Sequence, residues 1–90
     1  MEKTIITVVG KDNVGITAKI CTYLAENQIN ILDITQTIVQ EFFNMMMIVD
    51  MGKCEKPFSH VVGELEALGD SIGVKVKCQS EDIFNMMHRI

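Results

Sequence analysis

Hydrophobic and polar positions change their period several times along the chain, and the changes mark out its elements. Residues 3–9 are β-branched and apolar at both odd and even positions, which predicts a central strand. After Gly10 the period lengthens. Ile16, Ile20, Tyr23 and Leu24 recur at i, i+4, i+7 and i+8, predicting an amphipathic helix from Val14 to near Asn27 and Gln28. Residues 31–40 then alternate: Leu32, Ile34 and Ile38 on one face, Asp33, Thr35 and Thr37 on the other, as in an edge strand. A tight turn at Gln40 and Glu41 leads into residues 42–51, apolar on both faces and so a second central strand. After a polar loop, Pro57 suits the first position of a helix. Phe58, Val61, Val62, Leu65, Leu68 and Ile72 mark that helix's buried stripe. Residues 74–79 alternate strictly and form the other edge strand. Ile83, Phe84, Met87 and Ile90 are spaced for a short terminal helix over residues 81–90, with Ser80 as its cap.

The order is β-α-β-β-α-β plus a tail helix, the split βαβ or ferredoxin-like arrangement of the α+β class. It implies a four-stranded antiparallel sheet with both helices on one face. The central and edge strands of that layout coincide with the apolar and alternating segments of the sequence. The sheet's other face carries half the side chains of two apolar strands. Its cover is the tail helix, a second copy, or both.

Ninety residues make a single domain, with a core over about 4–80 and an extension over 81–90. So short a chain buries only roughly 60–65% of its unfolded surface. Yet 48% of its residues are hydrophobic and seven are Met, more than one small core needs. That excess favours a homodimer or higher homo-oligomer. The formal charge is −4 and the eight basic residues are scattered, so neither nucleic acid nor an anionic membrane is an expected partner. Three separated cysteines, with no CxxC pair, argue against a disulfide framework or zinc and for a reducing cytoplasm. The residues after Met1 hold no apolar run of signal-peptide type, and no stretch approaches the roughly 20 residues that span a bilayer.

Candidate chemistry concentrates where the first strand meets the first helix, at Gly10-Lys11-Asp12-Asn13-Val14-Gly15. A strand-to-helix corner aims free backbone N–H groups at one spot and attracts anions. Asp12 adds a carboxylate able to pair with an ammonium. It also suits a plain helix cap, as does Asn13, worth about 1 kcal/mol. Gly15 allows either close ligand approach or tight packing, and Asn30 suits either a ligand contact or a turn. Lys11 reads as solvated. No nucleophile–base pair or metal spacing occurs here, so no cofactor or metal is expected. Met45, Met46 and Met47 alternate across a strand and cannot converge on one soft ion. Packing is their simpler role.

The same residues resemble a known family. Val8-Val9-Gly10-Lys11-Asp12-Asn13-Val14-Gly15-Ile16 is similar to the first loop of the ACT domain, a strand followed by D-x-x-G or D-x-P-G and a helix. Asn30-Ile31 matches its second signature, an Asn-Ile pair opening the second strand. The likeness covers about residues 4–80. The stretches 43–47 and 80–84 resemble small stand-alone ACT proteins of unassigned function and, more distantly, the glycine-cleavage repressor type. The resemblance implies a regulatory module that binds an amino acid or related effector at a subunit interface. It places Asp12, Asn13, Val14, Gly15, Asn30 and Ile31 in the ligand site, with Asp12 and Asn30 in direct contact. Val14 replaces the frequent proline, implying a looser loop. No enzyme or DNA-binding domain accompanies the motif, so a regulated partner is expected on a separate chain.

An enzyme of the same fold, an acylphosphatase, needs an Arg on this loop, and the only Arg is Arg89. Heavy-metal domains of this fold place CxxC there, and the loop has no Cys. Two functions remain. One is a non-catalytic ligand sensor; the other is a protein-interaction module that uses the loop only as a cap.

Overall fold

The computed structural model describes residues 2–80. Its elements are β1 (Lys3–Lys11), α1 (Ile16–Glu26), β2 (Asn30–Val39), β3 (Phe42–Asp50), α2 (Phe58–Ile72) and β4 (Val74–Ser80). All strand pairs are antiparallel, in the order β2-β3-β1-β4. This is the expected ferredoxin-like βαββαβ arrangement, with the apolar strands β1 and β3 inside and the alternating strands at the edges. The expected tail helix over 81–90 lies outside the described residues.

The core lies between the sheet and the helices. Ile6 and Val8 of β1, Phe43, Met45, Met47 and Val49 of β3, and Val74 and Val76 of β4 meet Ile16, Ile20 and Leu24 of α1 and Val61 and Leu65 of α2. Each such side chain contributes roughly 1.5–3 kcal/mol of burial, which explains why the two helices hold one face. Among the described residues Thr4 is the buried polar one, and its hydroxyl donates to Met51 Sδ at 3.3 Å.

Several boundaries differ from expectation. Gly10 does not end β1; the strand runs on to Lys11, and Gly10 pairs with both Phe43 and Val74. A Cβ at Gly10 would stand 2.9 Å from Gly73 O, so the missing side chain lets β4 start beside it. The helix expected from Val14 begins at Ile16, with Gly15 as its N-cap. Pro57 is the N-cap of α2 rather than its first residue, and Phe58 is exposed rather than part of the buried stripe. In β2 a register shift between Ile31 and Asp33 marks a bulge at Leu32. The bulge removes Leu32 from the helix-facing row, which becomes Ile31, Ile34, Gln36 and Ile38.

Apolar exposure is concentrated. Val9, Phe42, Met46 and Val39 share the sheet face opposite the helices, and all are exposed. Leu32, Ile34 and Ile38 are exposed along β2. Ile5, at the far end of the open face, is buried apart from the main cluster.

Candidate functional site

The corner between β1 and α1 is built as an open loop on a rigid seat. Asp12 N–H donates to Glu41 O at 2.7 Å, tying the loop to the β2–β3 turn. Asn13 Nδ2 donates to Lys11 O at 3.3 Å and to Ile72 O at 3.0 Å, tying it to the end of α2. Val14 is 99% exposed at the tip. Gly15 adopts φ 91°, a left-handed conformation that turns the chain into α1. Thr17, in the first turn, donates from its hydroxyl to Gln36 Oε1 at 3.2 Å and so links α1 to β2.

The capping expectation for Asp12 and Asn13 fails. No side chain caps α1, because Gly15 occupies the N-cap position and has none to offer. The Asn13 amide is spent on two carbonyls, which makes it a positioning residue for the loop. Asp12 is exposed, three residues before an N-cap that no side chain bonds. Such a terminus presents unsatisfied N–H groups and the positive end of the helix dipole, next to one negative charge.

Asn30 and Ile31 do not join this loop. Asn30 is in register with Asp50, and Asp50 with Lys3, at the start of β1. Asp12 follows Lys11, at the other end of the same strand. Eight residue steps at about 3.3 Å put roughly 26 Å between those two levels of the sheet. Within one protomer, then, Asp12 and Asn30 cannot touch one small ligand. Ile31 faces the core opposite Val49 and is half-buried.

Asn30 instead lines a recess of about 470 Å³ with Ala25, Gln28, Ile29, Asp50 and Lys53. A shallower apolar cleft of about 350 Å³ lies between α1 and α2, over Tyr23 and Leu68. Among the described residues no group of three or more His, Cys, Asp or Glu is arranged for a metal ion.

A family model described as an ACT domain matches residues 2–79. The chain belongs to the ACT domain family. It is 59% identical to a UPF0237 protein of Bifidobacterium longum over the full length of both, and 50% identical to one of Methanococcus maripaludis, again over both full lengths. A solved ACT domain protein from Streptococcus pneumoniae superposes with TM-score 0.82 at 43% identity, covering 92% of this chain and 93% of that one. A putative glycine cleavage system transcriptional repressor shares the fold, with TM-score 0.75 at 21% identity over 88% of this chain and 45% of that one.

Away from the corner, this ACT domain carries a polar clamp. Tyr23 on α1 donates to Glu64 Oε1 on α2 at 2.7 Å, and Lys56 Nζ approaches the same oxygen at 2.8 Å. Lys56 also sits 5.8 Å from the Tyr23 ring centroid. The Lys56 hydrogen bond, then that of Tyr23, hold the Glu64 carboxyl below its usual range. Burial, reinforced by Glu64, pushes the Tyr23 phenol upward. All three cysteines are free and half-buried, and burial pushes the Cys78 thiol up to about 11. No helix among the described residues is long and apolar enough to cross a membrane.

Sequence reasoning missed Thr17, Gln36, Gln28, Asp50 and Lys53. Gln36 left a trace, since it interrupts the helix-facing row between Ile34 and Ile38. The others left none, because exposed polar residues at element ends look alike in sequence.

Proposed function

We propose that this ACT domain is a non-catalytic regulatory module that binds an amino acid or related small metabolite between two copies of itself. The observation that carries the proposal is the uncapped start of α1 with the Asp12 carboxylate exposed beside it. A zwitterion matches that pair: its carboxylate toward the N–H groups near Val14 and Gly15, its ammonium toward Asp12.

Register limits how two copies could share the ligand. If Asn30 takes part, it comes from the second copy, since its own Asp12 is at the other end of the sheet. The unpaired edge of β2 offers the route. Two β2 strands paired antiparallel about their middle would set Asn30 of one copy opposite Val39 of the other. Val39 ends the strand beside the turn whose Glu41 holds Asp12. The exposed Leu32, Ile34, Ile38 and Val39 supply apolar surface for that contact. Three free cysteines fit a reducing cytoplasm.

So small a ligand gains about −4 to −8 kcal/mol, a Kd between about millimolar and micromolar. At a hundredfold excess over Kd it raises stability by about 2.7 kcal/mol. A thermal-shift screen against amino acids and short organic acids, run beside analytical ultracentrifugation, tests the proposal. The expected result is a stabilising ligand whose effect disappears in Asp12→Ala and weakens in Asn30→Ala, on a dimeric protein. A dimer that ignores the whole panel at millimolar concentrations would favour the second reading, a protein-interaction module acting through the same apolar edge.

A further inference from the structure

The sheet face turned away from the helices is covered at one end and bare at the other. Strand register sets its rows. Ile5 of β1 lies between Gln79 of β4 and Ile48 of β3, with Asp33 of β2 beyond. Two rows on, Val9 lies between Lys75 and Asn44, with Thr37 beyond. Ile5 and Val9 thus share a strand and a face, and each is flanked on both sides by side chains of similar size. Yet Val9 is 42% exposed and Ile5 only 5%. Ile48 and Gln79 are half-buried, whereas Asn44 and Lys75 are exposed. Side chains on a sheet stand roughly perpendicular to it and cannot roof one another. Burial of Ile5 therefore requires chain lying on top of the sheet. Neither helix supplies it, because both pack on the opposite face.

Residues 81–90 start in the right place. β4 delivers the chain to Ser80, which is in register with Thr4 and so next to Ile5. The sequence from there is Glu-Asp-Ile-Phe-Asn-Met-Met-His-Arg-Ile. At helical spacing Ile83, Met87 and Ile90 form one stripe flanked by Phe84 and Met86, with Asn85 and the charged residues outside it. Length fits as well. Ten helical residues span about 15 Å, and the crossing from β4 to β2 takes three strand spacings, about 14 Å. Charge agrees with that direction. On the β4–β1 side the face carries Lys77 and Lys3, where Glu81 and Asp82 would lie. On the β3–β2 side it carries Asp50 and Asp33, where Arg89 would arrive. A second copy fits less well. The exposed apolar side chains of this face are Val9, Val39, Phe42 and Met46, toward the other end. A stable interface draws on about 20–30 residues a side.

We propose that the row Gln79–Ile5–Ile48–Asp33 is a docking surface for the chain's own residues 81–90, which cross it as one short amphipathic helix. The apolar stripe rests on Ile5 and Ile48, and the polar side faces solvent. The crossing stops short of Val9, Met46 and Phe42. It therefore divides the face, closing the end near Lys3 and leaving open the end beside Asp12 and Glu41. The arrangement needs no ligand at the corner loop and no pairing of β2 edges, so it stands or falls apart from the proposed function.

The test is nuclear Overhauser spectroscopy on the full chain with labelled isoleucine methyls and phenylalanine rings. The expected result is contacts from the Phe84 ring and the Ile83 methyls to the methyls of Ile5 and Ile48. In a mixture of labelled and unlabelled chains, spectra filtered for contacts between molecules should lack them. Phe84→Ala should shift the Ile5 and Ile48 methyl signals and leave those of Ile16 and Ile20, beneath the helices, in place. Absence of the Overhauser contacts overturns the proposal, as do Ile5 and Ile48 signals that ignore Phe84→Ala. Contacts found between molecules overturn it too, and would assign the cover to a second copy.

Discussion

Two glycines on α2 allow the helix–sheet packing to be tested by a sign reversal. Gly63 and Gly69 share one helix, so alanine brings the same intrinsic gain at each, about 1 kcal/mol in helix propensity. Their surroundings differ. An added Cβ at Gly63 meets nothing within 4 Å. At Gly69 it would stand 2.7 Å from Val76 Cγ2 and 2.8 Å from Val74 O. The second contact is backbone, part of the β1–β4 ladder region, and cannot rotate away. Overpacking of this kind costs about 1–3 kcal/mol. Gly63→Ala should therefore stabilise by up to about 1 kcal/mol, while Gly69→Ala nets from about neutral to 2 kcal/mol destabilising. In a domain this size 1 kcal/mol moves Tm by about 4–8 °C, so the two variants should separate clearly in calorimetry. If both stabilise equally, α2 does not rest on β4 at Gly69 as closely as described, and the placement of Ile72 O under the Asn13 amide fails with it.

The corner and the clamp give two further expectations. Gly15→Ala has open space around the new methyl but must hold φ 91°, so it should lose about 1–2 kcal/mol by urea denaturation through backbone strain alone. For Glu64, the hydrogen bonds from Lys56 and then Tyr23 lower the folded carboxyl below its ordinary value. A depressed folded value means the stabilisation is complete above the ordinary carboxylate range and fades as pH falls through the lower folded value. Urea midpoints of the wild type and Glu64→Gln, followed between neutrality and acid, should therefore converge as the solution becomes acidic; a constant gap would refute the clamp.

Much of the fold was legible because a sheet with one covered face writes its architecture into the sequence. Ile6 and Val8, then Met45, Met47 and Val49, had to be apolar to meet the helices. Ile5, Met46 and Ile48 are apolar on the other face as well, which marks β1 and β3 as central. The bulge at Leu32 was not legible, since an extra residue in an edge strand costs little and leaves no compositional sign. The candidate site was legible only in part. The resemblance named Asp12 and Asn30 together, but contact depends on register, and register puts them at opposite ends of the sheet. The cap assigned to Asp12 or Asn13 failed because Gly15, in a left-handed conformation, took the N-cap position three residues after Asp12 and two after Asn13.

That failure bears on function. Had Asp12 capped α1, its carboxylate would have been engaged by one of the free helix N–H groups and less open to a ligand's ammonium. Instead Gly15 leaves the donors open, Asn13 braces the loop through Ile72 O, and Asp12 stays exposed beside them. The loop thus spends its amide side chain on rigidity and keeps its carboxylate unspent. A solely structural corner would gain about 1 kcal/mol from the opposite allocation. The missing cap is therefore the feature that a ligand-binding role accounts for and an interaction module using the loop only as a cap does not.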